Sequence, residues 1–361
     1  MGGLSPRRLP GTLEAPDTSR REVIEMINAA RIAAKPRDTS ERPDLAARFV
    51  VRAAIQAPSI HNTQPWGFVD RPDGLELRAD RTRLLPITDP AGREMAISCG
   101  AALFNARLAV RRLGFTARVR LLPDPGRPDL LARITWAART AARPYEERLY
   151  RAIARRHTHR GPFLTTPLPP LLPNVLAGIA RNEGADLRLI SGADQLRRLA
   201  EHVQAAEAIQ LSDARTAGEL LDWAIPPHSR RRDGLTPASF PASPDGLEFP
   251  SREFFAGTPW ALRHHGPSGG NVGTVAVLTT RDDRRVDWVQ AGQALQHVLL
   301  HAATLQVSAA FHTQPLELPY LRAALRRDLV CGHPQMVLRL GHAPRTPRTR
   351  RRTVTNVLLG E

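Results

Sequence analysis

Two arginine-rich segments in the second half of the chain carry residue types that can hold an anion. In RRHTHRGPF (155–163), cationic groups and a hydroxyl follow the end of a predicted helix: Arg156, His157, Thr158 and Arg160. A guanidinium binds phosphate through charge and paired hydrogen bonds, because its planar fork matches two phosphate oxygens. Composition alone favours a basic surface linker here, and a phosphate motif is the alternative.

The other segment is GHAPRTPRTRRRTVTNVL (341–358). Its cationic side chains are those of Arg345, Arg348, Arg350, Arg351 and Arg352. Taken alone, this pattern is typical of a solvated basic strand or tail. A second set of phosphate ligands is the alternative interpretation.

A third stretch, APSIHNTQPW (57–66), places small polar side chains between a proline and a tryptophan. Pro58 ends the preceding apolar-periodic helix and pushes Ala57 toward extended geometry. The helix stop explains the prolines. It leaves the histidine, asparagine and glutamine that follow without a structural reason.

Other reactive residue types indicate no further chemistry. His297 and His301 lie four positions apart, but no HExxH glutamate and no third ligand accompany them, so we expect no metal site. The glycines of 266–280 precede a strand, which excludes a dinucleotide-binding fingerprint. No GxSxG is present, and Cys99 is expected to be a buried structural thiol rather than a nucleophile.

The net charge of +16 suggests nucleic acid, but its distribution argues against that partner. Of 51 basic residues only Lys35 is a lysine, and the arginines are spread along the chain, as expected of a GC-rich coding bias. No apolar run approaches a membrane span, and the first residues contain no apolar signal region. Cys99 and Cys331 lie far apart without a CxxC, so a reducing cytoplasm is the expected location.

Hydrophobic patterning predicts the elements that must position these segments. We expect a helix over 19–34, a helix over 45–57 with Leu45, Phe49, Ala53 and Ile55 facing inward, and a hairpin over 66–80. A helix over 96–115 closed by Gly114, a strand over 116–123, and a helix followed by a strand-like segment within 291–311 complete the pattern.

The helices near 100 and 292 resemble each other at a constant offset of 192 residues, from Gly100/Gly292 to Leu113/Leu305. The spacing indicates two related domains. We predict an N-terminal extension (1–40), a first half (41–145) and a second half (150–361), joined near 140–160. The Pro/Gly/Arg-rich loop near 212–245 is either a lid or a disordered segment.

Together these segments resemble the FMN-dependent nitroreductases. APSIHNTQPWGF resembles their APSxxNxQPW motif, and RRHTHRGPF resembles their arginine-rich opening motif. DPAGREMAISCGAALFNARLAV, DGLTPAS, GQALQHVLLHAATL and GHPQMVLRLGHA resemble the tandem-domain, Acg-like branch. The likeness covers roughly residues 44–358. It implies an α+β fold of two tandem nitroreductase-like domains, each with a mainly antiparallel sheet packed with helices, like a fused nitroreductase dimer.

The resemblance also implies a cofactor site. Arg156, His157, Thr158 and Arg160 would contact the phosphate, the ribityl chain or the pyrimidine side of FMN, and Arg351 and Arg352 would complete the phosphate ligands. Pro58, Ser59, Ile60 and Asn62 would border the isoalloxazine, and Phe311, His312 and Thr313 would form the loop beside it. Thr158 replaces the family's common serine, and His312 replaces a residue that is often acidic.

Each of these motifs occurs once, so the resemblance implies one FMN in a pseudo-dimer formed within one chain. The expected activity is hydride transfer from NAD(P)H to the flavin and then to a nitro or quinone-like acceptor, with no catalytic side chain. The alternative is an FMN-storage protein whose lid excludes the donor. We expect no nucleic-acid or membrane partner, and either a monomer or a further dimer.

Overall fold

The structure is a computed structural model that describes residues 45–240, 249–250, 252–255, 258–260, 271–344 and 348–360. These residues belong to one compact unit. The predicted N-terminal extension, its helix over 19–34, Arg345 and part of the predicted lid lie outside the described residues.

The first sheet contains the predicted hairpin. Its strands are β1 (Trp66–Arg71), β2 (Gly74–Ala79), β3 (Phe115–Leu121), β4 (Leu130–Arg139) and β9 (Leu358–Leu359), in the order β3-β4-β2-β1-β9. Trp66 pairs with Ala79 and Arg71 with Gly74, as the turn chemistry predicts. The short β9 pairs in parallel with β1, so the end of the chain lies against the hairpin.

The second sheet is antiparallel and lies later in the chain. It consists of β5 (Asp186–Ile190), β6 (Thr274–Thr280), β7 (Val307–Phe311) and β8 (His333–His342), in the order β5-β6-β8-β7. Its strands are rich in valine, leucine and alanine and carry much of the apolar core. Two separate sheets agree with the α+β class; the tandem arrangement stays a prediction.

Helices cover the sheets and connect their strands. They are α1 (Leu45–Ala54), α2 (Arg93–Arg112), α3 (Pro144–Ile153), α4 (Leu172–Asn182), α5 (Ala193–Ser212), α6 (Ala214–Asp222), α7 (Arg285–Thr304), α8 (Gln314–Glu317), α9 (Pro319–Leu329) and α10 (Val354–Val357). The inward face predicted for α1 was wrong at its start. Leu45 is 53 % exposed, because Ala46, Ala47, Val50 and Val51 form the buried face.

The two helices that the internal similarity aligns pack against each other at their aligned glycines. A Cβ on Gly100 would lie 2.2 Å from the carbonyl oxygen of Val289, and one on Gly292 would lie 2.0 Å from that of Ile97. Only glycine at both positions therefore permits this close approach of α2 and α7. The crossing fixes the relative position of the elements that carry the candidate site.

Within the described ranges, no helix is long and apolar enough to cross a membrane.

Candidate functional site

A central cavity lies between the APS segment (residues 57–66), the ends of β7 and α2, and the loop after α6. It encloses about 900 Å³ of empty space, which includes open solvent at its mouth. It brings together eight of the predicted residues: Pro58, Ser59, Ile60, Thr158, Arg160, Phe311, His312 and Thr313.

The APS segment reaches this cavity through an unusual backbone. His61, Asn62 and Gln64 have φ angles of 46°, 58° and 53°, in the left-handed region that is costly for side chains other than glycine. Two local hydrogen bonds stabilise the turn. The Gln64 amide donates to Ser59 Oγ (2.9 Å), and the Ile60 amide donates to Ser98 Oγ on α2 (3.2 Å).

Asn62 is buried but is not among the residues that line the central cavity. Its side-chain amide donates to the carbonyls of Gly234 (2.9 Å) and Arg350 (3.2 Å), and its Oδ1 accepts from Arg351 Nη1 (3.0 Å). Asn62 therefore joins three distant parts of the chain. Its predicted place beside a flavin ring stays a prediction.

A second cavity, the arginine cavity, lies next to the central one. Its polar lining comes from both predicted basic segments and from the first helix: Arg52, Gln56, Arg156, His157, Arg348, Thr349 and Arg351. Arg156 Nη1 and Thr158 Oγ1 are 3.5 Å apart, which joins the two cavities. Arg156 is only 5 % exposed, and the buried Nε atoms of Arg156 and Arg351 have no hydrogen-bond partner among the described residues.

The positive charge at this junction is not compensated. Burial lowers the pKa of Arg156 to about 9, assisted by repulsion from Arg351 and Arg160. Burial likewise lowers the pKa of Arg160 and of Arg351 to about 10. Among the described residues, none of these three arginines forms an ion pair with a carboxylate. Such an arrangement favours an anionic ligand, because buried cations are costly without a counter-charge.

His157 is neutral in the same environment. Burial lowers its pKa to about 4, and the charges of Arg156, Arg348 and Arg351 act in the same direction. It can donate or accept one hydrogen bond but adds no charge at neutral pH.

Arg352 differs from the other predicted phosphate ligands. It lines a more open cavity beside the arginine cavity. Its guanidinium donates to the carbonyls of Gln64 (3.2 Å) and Asn356 (2.8 Å) and lies 3.5 Å from Asp80. These contacts anchor the C-terminal segment on the APS segment, and its predicted phosphate contact stays a prediction.

The loop after β7 forms another wall. The His312 amide donates to the Val337 carbonyl (3.0 Å), and His312 Nε2 accepts from Arg339 Nε (2.8 Å). Since Nε2 accepts, the ring proton lies on Nδ1, which donates to the Pro250 carbonyl (3.3 Å). The Thr313 hydroxyl donates to Glu317 Oε1 (3.2 Å). These two hydrogen bonds therefore hold the His312 ring in its neutral form, with Nδ1 as the donor and Nε2 as the acceptor.

The described part of the predicted lid contributes Leu235 and Phe240 to the wall of the central cavity. Leu235 exchanges backbone hydrogen bonds with Ile225 and Trp223 (2.7 and 2.9 Å), and the Gly234 amide donates to the Asn62 carbonyl (3.2 Å). Phe240 and Phe254 line the central cavity. The guanidinium of Arg160 lies 5.2 Å from the Phe240 ring, and Phe254 packs edge-on against His61 at 4.9 Å.

Sequence reasoning missed a buried acid in the cavity wall. Glu94 on α2 lines the central cavity one turn before Ser98, and its Oε1 accepts from Arg93 Nη2 at 2.7 Å. Burial raises the pKa of Glu94 to about 8, assisted by repulsion from Glu317 and Asp89. Acidic residues are common in the first turn of a helix, so the sequence contains no signal that this one is buried in a cavity wall.

The residues that sequence analysis set aside have structural partners. The hydroxyl of Tyr145 on α3 lies 3.2 Å from His297 Nε2 and 3.1 Å from His301 Nδ1. Cys99 donates to the Pro65 carbonyl (3.2 Å), and burial raises its pKa. Over the described ranges, no cluster of three histidine, cysteine or acidic residues could hold a metal ion.

The chain is similar to named proteins along most of its length. No protein-family model matches it. Two relatives in Mycobacterium tuberculosis strain H37Rv carry the names "Putative NAD(P)H nitroreductase Rv3131" and "Putative NAD(P)H nitroreductase acg". The first is 32 % identical and the second 30 % identical; each match covers 86 % of this chain, and 90 % and 94 % of the relatives respectively.

Solved structures give a weaker likeness. A nitroreductase with bound FMN from Desulfitobacterium hafniense is 13 % identical over 56 % of this chain and 93 % of its own, with a TM-score of 0.35. One from Bacteroides fragilis, also with bound FMN, has a TM-score of 0.34, with 13 % identity over 57 % of this chain and 93 % of its own. On the identity and coverage of the mycobacterial relatives, this chain belongs to the NAD(P)H nitroreductase family that includes Acg.

Proposed function

We propose that this chain is an FMN-binding oxidoreductase that takes a hydride from NAD(P)H and delivers it to a nitro or quinone-like acceptor. The observation that carries the proposal is the group of buried arginines at the junction of the two cavities. Arg156, Arg160 and Arg351 have no carboxylate partner among the described residues, so they fit a ligand that brings its own negative charge. The names of the mycobacterial relatives support the same activity.

The residues present fit both the phosphate end and the ring of FMN. Arg156 and Arg351, each with a free buried Nε, would hold the phosphate in the arginine cavity. Thr158 and Arg160 would meet the ribityl chain and the pyrimidine side, and His157 would add a neutral hydrogen bond. Pro58, Ser59 and Ile60 would border the ring opposite Phe311, His312 and Thr313.

When bound, FMN supplies the hydride chemistry, and the protein binds it, orients it and tunes its surroundings. The cations keep the phosphate end fixed. The strained APS turn is already shaped to present short side chains and backbone to a flat ring, which lowers the cost of ordering on binding. Phe240 and Phe254 limit access of water to the same space.

The proposal includes one site per chain. The APS segment belongs to the first part of the chain, whereas both arginine segments belong to the second, and each occurs once. The pairing of β9 with β1 and the hydrogen bond from Arg351 to Asn62 support this view, because they bring the last residues onto the APS segment. We infer a tandem pseudo-dimer that forms one complete site.

A flavin-storage protein is the second candidate. It is favoured by the ordered segment from Trp223 to Phe240 and by Phe254, which cover the central cavity. Storage needs the same cofactor contacts but no room for a hydride donor.

The test is a visible spectrum followed by reduction. The purified chain is reconstituted with FMN, desalted, and mixed with NADPH without oxygen. We expect retained flavin absorbance that NADPH bleaches and a quinone restores. Retained flavin that NADPH does not bleach would favour storage, and loss of all flavin on desalting would refute the proposal.

A further inference from the structure

Glu94 lies where a bound acceptor would need a proton. It is 4 % exposed and lies in the first turn of α2, in the wall of the central cavity. Among the lining residues that the structure describes, it is the one carboxylic acid. Its Oε1 accepts from Arg93 (2.7 Å). The carboxyl group is thus held in the cavity wall by one neighbouring guanidinium.

The charges around Glu94 favour its protonated form. Asp89, which precedes α2, and Glu317, at the end of α8, are the acidic groups nearby, and Arg93 and Arg252 are the basic ones. Glu317 already binds Arg252 at 2.6 Å, and Asp89 accepts from the Met95 amide at 2.8 Å. Glu207 is a further carboxyl that acts on Arg252, and Arg160 is a further cation in the cavity wall. Carboxyls therefore outnumber guanidinium groups in this buried region, which favours protonation of one of them.

The pKa shifts of Glu94 and Asp89 agree with this excess of carboxyl groups. Burial, with repulsion from Glu317 and Asp89, raises the pKa of Glu94 to about 8, and burial raises that of Asp89 to about 6. His61, the nearest titratable group on the APS segment, does not compete as an acid. Burial and the charges of Arg252 and Arg160 lower its pKa, so its ring is neutral.

Reduction of the proposed acceptors by a hydride requires one such proton. A quinone that receives a hydride becomes a hydroquinone monoanion and needs one proton to become the hydroquinone. A nitro group that receives a hydride and a proton yields the nitroso compound and water. A general acid in the wall of the cavity can supply that proton.

We propose that Glu94 is the acid that protonates the acceptor during its reduction. The carboxyl O–H bond breaks, its electron pair stays on the carboxylate, and a new O–H bond forms on the acceptor oxygen. The product carboxylate is stabilised by Arg93 and recovers a proton from solvent before the next turnover. The inference rests on the proposed function, because the hydride comes from the reduced flavin.

The kinetic test uses the FMN-loaded full chain, 1,4-benzoquinone as the acceptor, and the variants Glu94→Gln and Glu94→Asp. We expect Glu94→Gln to slow reoxidation of the reduced protein by at least about tenfold. This is a lower bound, because a positioned general acid contributes roughly 100-fold or more to a rate. Reduction by NADPH and retention of FMN should not change. The wild-type rate should fall as pH rises through about 8, whereas the Glu94→Gln rate should not depend on pH there.

Two comparisons separate a proton donor from a structural group. Glu94→Asp should recover part of the rate and of the pH dependence. Glu183→Gln removes a partly buried acid that binds Arg107 (2.6 Å) and lies outside the cavity lining, so it should leave the reoxidation rate unchanged. Equal rates and equal pH profiles in wild type and Glu94→Gln would overturn the proposal.

A second measurement needs no flavin. Infrared difference spectra of the wild-type protein, recorded between pH 7 and pH 10, should show loss of a protonated-carboxyl C=O band that Glu94→Gln lacks at both pH values. An unchanged band in the variant, or no such band at pH 7, would overturn the inference even if FMN binds. Failure to bind FMN, with this band present, would instead refute the proposed function alone.

Discussion

At the residue scale, the candidate site depends on cationic side chains for which no carboxylate among the described residues supplies a counter-charge. Arg93 and Arg252 are buried arginines that have one. Arg252, for example, is paired with Glu317, which raises the pKa of Arg252 despite its burial. Arg156, Arg160 and Arg351 show the opposite shift. On the proposed function, this contrast within one molecule separates arginines that support the fold from arginines that would bind the FMN phosphate.

Removing two of the uncompensated cations should weaken cofactor binding. We expect Arg156→Ala with Arg351→Ala to lower FMN affinity by several kcal/mol, at about 1.5–3 kcal/mol for each charge-assisted hydrogen bond lost. Quenching of FMN fluorescence on titration measures the change. Arg111→Ala is the matched control, because Arg111 is paired with Glu146 at 2.9 Å, away from both cavities. An unchanged FMN affinity in the double variant would show that the phosphate is held elsewhere.

The motifs predicted these arginines as candidate phosphate ligands. They did not predict the long-range contacts that neighbouring residues of the same motifs make. Asn62 joins Gly234 and Arg350, which lie 172 and 288 positions away. The Arg352 side chain contacts Gln64 and Asp80 and does not extend into solvent as a tail residue would. Contacts over such separations follow from the tertiary fold, which no local pattern encodes.

At the element scale, hydrophobic periodicity and turn residues predicted the hairpin of β1 and β2 and the helix-strand pair α2–β3 closely. The helix and the strand-like segment predicted within 291–311 correspond to α7, which begins earlier at Arg285, and to β7. Of the residues predicted to face inward from the first helix, Ala53 and Ile55 are buried, whereas Leu45 is exposed and Phe49 is half-buried. The start of the face was wrong because alanines make its core contacts, and alanine gives a weak periodic signal. The ladder between β9 and β1 was not predictable, since it joins distant ends of the chain.

The crossing of α2 and α7 should tolerate no side chain at Gly100 or at Gly292. Gly100→Ala or Gly292→Ala would place a Cβ about 2 Å from a backbone carbonyl oxygen, so the helices must separate. We expect each change to lower the free energy of unfolding by about 1–3 kcal/mol, as overpacking does. Urea denaturation measures it.

Gly178→Ala on α4 is the control for these variants. No atom lies within 4 Å of its Cβ, so a higher helix propensity should stabilise the protein slightly. If Gly100→Ala behaved like Gly178→Ala, the close packing of α2 on α7 would be wrong.

Glu76 should be a pH-dependent support of the first sheet. Burial opposes its ionisation, but hydrogen bonds from Arg71, Arg78 and Arg127 prevail and lower its pKa to about 2. A lowered carboxyl pKa stabilises the fold fully above the unfolded value of 4.5 and loses that contribution as pH falls toward 2. We expect Glu76→Gln to cost about 1–3 kcal/mol at pH 7, and the difference from wild type to vanish near pH 2.

Urea denaturation at both pH values measures this effect. Glu201→Gln removes an exposed acid paired with Arg197 and should change stability by less than about 1 kcal/mol. A Glu76→Gln penalty that persisted unchanged at low pH would contradict the assignment of the ion pairs.

At the scale of the whole molecule, the proposed sites of cofactor binding and of proton supply come from segments far apart in the sequence. The APS segment and α2 contribute from the first part, β7 and the arginine segments from the second. The close α2–α7 crossing holds these parts together. The family resemblance and the single copy of each motif predict one flavin per chain, where an ordinary dimer of this family would hold two.

The most direct test of the account is a binding titration of the purified chain with FMN and, in parallel, with riboflavin, which lacks the phosphate. The account predicts one FMN per chain and an affinity for riboflavin that is weaker by at least about tenfold, because the arginines lose their anion. Two FMN per chain, or equal affinities for FMN and riboflavin, would contradict it.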